Sequence, residues 1–138
     1  GGVVPSIIYG LKRMNVSKII ISNRSKERAN ELKNLFKDLQ ILDWGELTNF
    51  DMIINATTIG LEENDKFELD FNKFGKNKFF YDVIYQPYKT NFYQVGNEKG
   101  NKFEDGLNMF IYQAQKAFYI WHNIKPNIDE ELIKFLKN

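Results

Sequence analysis

The chain has no cysteine. Disulfides, thiolate nucleophiles and cysteine-ligated metals are therefore excluded from its chemistry. Its one histidine, His122, rules out a cage of several imidazoles. Charge of one sign is also lacking: 19 Lys and Arg stand against 18 Asp and Glu, a net +1. No general field draws in nucleic acid or an anionic membrane, so any phosphate recognition must be local. No apolar run approaches the ~18 residues of a spanning helix, and no signal-peptide pattern is visible. Both absences point to the cytoplasm. Internal repeats and low-complexity tracts are missing as well.

What is present suits one α/β domain. The 138 residues are 43% hydrophobic and 15% aromatic, enough for a real core. The stretch Lys18 to Arg28 organises the rest. Ile19, Ile20 and Ile21 form a β-branched run that reads as a strand buried on both faces, ended by Ser22 and Asn23. Ser25 is a good N-cap for a following helix, without the Glu or Gln three residues later that would complete a capping box. In a dinucleotide-binding βαβ unit this corner lies beside the adenosine ribose, where an acidic residue suits a bare ribose and Arg suits a 2′-phosphate. Here it carries Asn23, Arg24, Ser25, Lys26 and Arg28, with Glu27 as its one acid. Arg24 can offer a planar fork to a phosphate and stack on an adenine. The alternative is an exposed helix whose first turn is simply solvated charge.

The remaining segments follow a β-α-β-α order. Gly1 and Gly2 read as the tail of a glycine-rich phosphate loop or as a cloning scar, with Pro5 in an opening helical turn. In the first reading a strand before Gly1 would be the central one of the sheet. A helix is expected from Val3 to Met14 with Asn15 as its cap, and another from Ser25 to Lys37 with Ala29, Leu32, Leu35 and Phe36 on one face. Ile41-Leu42 is a short strand candidate, and Trp44 to Leu47 a helical turn or a loop. Asp51 to Gly60 is a buried strand ending in Asn55, Ala56, Thr57, Thr58 and Gly60, small residues that let a ligand approach or simply turn the chain. A loop follows, with a short helix near Phe71–Phe74. Phe79 to Tyr85 is a third strand, broken by Gln86-Pro87. Thr90 caps a helix ending near Gly100, and Lys102 to Glu104 is the last strand.

Asp105-Gly106 turns into the most amphipathic helix, with Leu107, Phe110, Ile111, Ala114, Ala117, Phe118 and Trp121 as its core stripe. Gln113 falls off that stripe, and either faces a site or is solvated. His122 reads as a favourable charge at the helix end or a packing residue. A closing helix covers residues 129–137. The pattern implies a doubly wound, mostly parallel sheet with helices on both faces.

Several of these segments, in this order and spacing, resemble the C-terminal NADP-binding, Rossmann-like domain of the shikimate dehydrogenase family. Gly1-Gly2 is similar to the end of its Gly-Ala-Gly-Gly-Ala loop, and Asn23 to Arg28 to its Asn-Arg-Thr clamp. Asn55-Ala56-Thr57-Thr58-Ile59-Gly60 is similar to its Asn-Ala-Thr-x-x-Gly segment. Tyr81 to Pro87 and Asp105 to Gln113 are similar to its Tyr-Asp-x-x-Tyr-x-Pro and Asp-Gly-Leu-Gly-Met-x-x-x-Gln segments, with Asn108 where that glycine stands.

The resemblance implies NADPH-dependent reduction of 3-dehydroshikimate to shikimate. It places Gly1 and Gly2 at the pyrophosphate, and Asn23, Arg24, Ser25, Lys26 and Arg28 at the 2′-phosphate corner. Asn55, Ala56 and Thr57 would line the cofactor, with Val83 and Gly106 near the nicotinamide. Tyr85 and Gln113 would reach substrate hydroxyls. No metal is implied. The family's catalytic Lys and Asp lie in an N-terminal substrate domain that this stretch does not match, so no catalytic residue is expected here. The expectation is a piece lacking that domain and the first strand, inactive alone, from a protein that can form a homodimer. A stand-alone NADP-binding module and a quinate-preferring relative are the competing readings.

Overall fold

The computed structural model describes residues 1–62, 64–97 and 100–137. In chain order they form α1 (Val4–Arg13), β1 (Ile20–Ser22), α2 (Lys26–Leu35), β2 (Gln40–Leu42), β3 (Met52–Asn55), a 3₁₀ turn (Phe71–Phe74), β4 (Phe79–Asp82), α3 (Asn91–Gly96), β5 (Lys102–Glu104), α4 (Leu107–His122) and α5 (Glu130–Lys137). The chain divides into two compact units. The first is Gly1–Phe50 with Phe67–Gly75, and the second is Asp51–Lys66 with Lys76–Asn138.

The first unit is built on local signals. Pro5 sits in the opening turn of α1, where it has no helical donor to lose. Lys12 and Arg13 meet the negative end of the helix dipole, and Asn15 follows the cap in the left-handed conformation (φ 57°). β1 and β2 pair in parallel, Ile20 opposite Gln40 and Ser22 opposite Leu42. The core is Ile8, Ala29, Leu39 and Phe71. Trp44 is part of a turn with Gly45 at φ 92° and is 40% exposed.

Two expectations are corrected here. The isoleucine strand is shifted to Ile20–Ser22 and is half-buried, not buried on both faces. It is three residues long and has one ladder partner in its sheet. Leu35 is exposed, because α2 ends at that residue and Phe36 leaves the helical conformation (φ −125°, ψ 89°), and Leu39 is buried instead.

The second unit is a three-stranded parallel sheet in the order β3-β4-β5. Asn55 lies opposite Asp82, and Tyr81 opposite Glu104. The period of two puts Phe80 and Asp82 of β4 inside. Thr90 caps α3 through Tyr93 N–H at 3.1 Å. Gly96 lets α3 lie on the sheet: a Cβ there would stand 2.8 Å from the Phe80 side chain and 3.0 Å from Phe103. Phe92 adds a ring contact to Phe80 at 5.3 Å. This helix ends at Gly96, short of the expected Gly100, and residues 98–99 of the expected helix lie outside the described residues.

The largest correction concerns α4. Of its expected stripe only Leu107 and Ile111 are buried. Phe110, Ala114 and Phe118 are exposed, and Trp121 is 76% exposed. The reason is length. Sixteen residues of helix span about 24 Å, whereas strands of three or four residues span about 10–13 Å. The sheet can therefore cover only the first turns. Part of the rest borders an apolar groove shared with α5, lined by Ala114, Phe118, Ile128, Leu132 and Leu136. Gln115 Nε2 donates to Pro126 O at 2.7 Å and ties the connecting loop to α4. No helix of the described residues is long and apolar enough to cross a membrane.

Candidate functional site

The candidate residues form two groups, one in each unit. In the first unit the chain leaves β1 and enters α2 through a turn closed by short polar groups. Asn23 Nδ2 donates to Ser25 O at 2.9 Å. The Ser25 hydroxyl accepts from Arg28 N–H at 3.3 Å and donates to Glu27 at 2.8 Å. Backbone N–H donation and the Ser25 hydroxyl hold the Glu27 carboxyl below its ordinary range. Lys26 pairs with Asp43 at 2.8 Å, which raises its own pKa. Both partners are well exposed, so an incoming anion can exchange for Asp43 at little cost. Among the described residues the Arg24 and Arg28 guanidinium groups have no hydrogen-bond or ion-pair partner. The turn is thus fixed by Asn23 and Ser25, while two planar cations stand uncommitted beside it. At the start of α1, Val4 N–H donates to Gly1 O at 3.2 Å. A Cβ at Gly2 would meet nothing within 4 Å, so the protein's own packing leaves that backbone open to approach.

In the second unit the candidates converge on the carboxyl ends of β3 and β4, where open α/β sheets bind ligands. The centre is a buried polar cluster. Asp82 is fully buried and accepts three hydrogen bonds: from Asn55 Nδ2 at 2.9 Å, Ile84 N–H at 3.0 Å and the Thr90 hydroxyl at 2.9 Å. Burial pushes its carboxyl above the ordinary range, the three donors pull the other way, and the nearby Asp105 charge adds to the rise. Asn55 uses both ends of its amide. Its Nδ2 also donates to Ile59 O at 3.0 Å, and its Oδ1 accepts from the Thr57 N–H at 3.0 Å and hydroxyl at 2.8 Å. Thr57 Oγ1 in turn accepts from Ile59 N–H at 3.1 Å. The loop after β3 is therefore wound on one side chain. It closes at Gly60 (φ 108°), where a Cβ would stand 3.2 Å from the Thr90 side chain.

Beside this cluster Val83 and Gly106 are brought together. Val83 N–H donates to Asn55 O at 3.0 Å, and a Cβ on Gly106 would stand 2.1 Å from Val83 O. Only glycine permits that approach. Tyr85 stacks on Phe110 of α4, with centroids 5.0 Å apart and planes at 22°. Gln113 is exposed one helical turn beyond Phe110. Asn55, Ala56, Thr57, Val83 and Gly106 thus gather at one sheet edge, with Tyr85 held on α4.

Sequence reasoning used Thr90 as a helix cap and Asp82 as part of a motif, and missed that the two join. The available signal was a carboxylate inside the apolar run Phe79 to Tyr85, in phase with inward-facing Phe80. No group of three His, Cys, Asp or Glu that could hold a metal occurs among the described residues. The first-unit corner presents cationic side chains, and the second-unit cluster fixes the loops around it through hydrogen bonds.

Comparison with known proteins gives consistent matches. The family described as "Shikimate 5'-dehydrogenase C-terminal domain" matches residues 106–130. A shikimate dehydrogenase (NADP(+)) of Pelagibacter ubique is 52% identical over 136 residues, covering 99% of this chain and 51% of that protein. The one of Caldicellulosiruptor saccharolyticus is 40% identical, covering 99% and 52%. Among solved structures, shikimate 5-dehydrogenase from Thermus thermophilus, in complex with NADP(H) and shikimate, superposes with a TM-score of 0.71 at 28% identity, over 83% of this chain and 44% of that one. The chain spans about half the length of the curated relatives it matches. Its α/β fold with parallel strands, its motifs and these matches agree: over nearly its whole length the chain is similar to about half of a shikimate dehydrogenase.

Proposed function

We propose that this chain binds NADP(H) for a shikimate dehydrogenase that interconverts 3-dehydroshikimate and shikimate. The observation that carries the proposal is the β1–α2 corner, where the Arg24 and Arg28 guanidinium groups have no partner among the described residues beside a turn locked by Asn23 and Ser25. A 2′-phosphate is the dianion such a corner fits, and Arg24 can meet it with two parallel N–H donors. Lys26 adds a third cation by leaving Asp43. Gly1 and Gly2 leave backbone accessible to the pyrophosphate. Ala56 and Thr57 line the cofactor, and Asn55 fixes the loop that carries them. Val83 and Gly106 flank the nicotinamide, which supplies the hydride when bound. Tyr85 and Gln113 present a hydroxyl and an amide to the substrate's hydroxyls. Asp82 is sealed by three donors and is assigned no acid–base role.

Calorimetric titration with NADP⁺ and with NAD⁺ tests the reading. NADP⁺ should bind more tightly. Arg24→Ala should weaken NADP⁺ by about tenfold or more, as expected for a charge-assisted hydrogen bond of about 1.5–3 kcal/mol, and leave NAD⁺ within about twofold. Equal losses for both nucleotides would remove the 2′-phosphate assignment.

A further inference from the structure

We propose that Asp82 is a positioning residue of the site, which through Asn55 and Thr90 holds two ligand-facing loops in one fixed arrangement. The inference rests on the functional reading above. One carboxylate is the shared acceptor for three segments. Its Oδ1 takes Asn55 Nδ2 from the end of β3 and Ile84 N–H from the loop after β4, and its Oδ2 takes the Thr90 hydroxyl at the start of α3. Asn55 then passes the constraint to the Asn55–Gly60 loop through Thr57 and Ile59. Thr90 passes it to Gly60 by packing. Ile84 lies between Val83 and Tyr85, and its carbonyl accepts from Gly106 N–H at 3.4 Å. Moving the carboxylate therefore moves Thr57, Val83, Tyr85 and Gly106 together.

Burial explains why such a group is kept. Asp82 is sealed from water, and no buried side-chain polar atom among the described residues lacks a hydrogen-bond partner. A charge in this position costs stability, and an apolar residue could fill the same volume more cheaply. What an apolar residue cannot do is accept from three segments at once. Site geometry is sensitive on this scale: a displacement of about 1 Å can cost a hundredfold in rate.

The test uses the natural protein that carries this sequence, with Asp82→Asn, Thr90→Val and Thr90→Ser. Asp82→Asn keeps the shape and the Oδ1 contacts but replaces the acceptor facing Thr90. Thr90→Val removes the hydroxyl, and Thr90→Ser restores it. Two readouts separate positioning from general support. The first is amide hydrogen exchange without ligand. Thr57, Ile59 and Ile84 should exchange about tenfold faster in Asp82→Asn and Thr90→Val, Ile21 and Ile41 should be unchanged, and Thr90→Ser should match the parent. The second is shikimate oxidation with NADP⁺. Asp82→Asn and Thr90→Val should lower kcat about tenfold or more while adenosine 2′,5′-bisphosphate binds within twofold. Unchanged exchange at Thr57, Ile59 and Ile84 overturns the proposal, as does faster exchange spread equally over β1 and β2. A parent protein that neither binds the bisphosphate nor oxidises shikimate overturns the functional reading instead, because that result involves no substitution.

Discussion

Gly106 is the residue least open to change. An added methyl would sit 2.1 Å from Val83 O, against backbone that cannot swing aside. Gly106→Ala should destabilise by about 1–3 kcal/mol or more by overpacking, whereas Gly2→Ala, with nothing within 4 Å, should leave stability unchanged. Denaturant midpoints of the two variants decide this. Asp82 makes a second prediction at the same scale. Its native pKa lies above the unfolded value, so between the two values the folded state holds the extra proton. Stability from this group therefore falls as pH rises through that window, and the cost is constant above it. Glu27 and Asp38, held low at the surface, contribute the opposite slope. The difference between Asp82→Asn and the parent isolates Asp82: the variant should gain on the parent as pH rises from the ordinary carboxylate range. A difference that is flat with pH would mean that the buried charge carries no net cost.

At the scale of elements, local chemistry was legible and coverage was not. Ser25 and Thr90 were readable as caps because a cap depends on the next three residues, and both accept the third N–H onward. The 3₁₀ turn at Phe71–Phe74 and the boundaries of β5 and α4 also follow from local pattern. Periodicity places Leu35 in the core, yet it is exposed, because periodicity ranks faces while the helix continues and cannot see that Phe36 leaves the helical conformation and ends α2. The Asp82 cluster was illegible for another reason: of its three partners, Asn55 is 27 residues away and Thr90 eight. The α4 stripe was found correctly as apolar, but periodicity says nothing of how much lies opposite it. Ile111→Ala should cost about 2–5 kcal/mol as a core truncation. Trp121→Ala, on the uncovered part, should stay within about 0.5 kcal/mol. Thermal denaturation of this chain checks both, and a large loss at Trp121 would show that the last turns of α4 are packed in solution.

At the scale of the molecule, the division into two units also divides its light emission. The chain has two tryptophans, Trp44 in the first unit and Trp121 in the second. Trp121 is three-quarters exposed on the α4 face, so its indole should already emit at the long wavelength typical of water. Unfolding would change that emission little, but anything that covers the Trp121 ring near the end of α4 would shift it toward the blue. Trp44, set in the turn after β2, would respond to the integrity of its own unit. Replacing one or the other with Phe turns a mixed spectrum into a report on a single half. No dye or tag is needed to follow coverage of the last turns of α4 separately from events in the first unit.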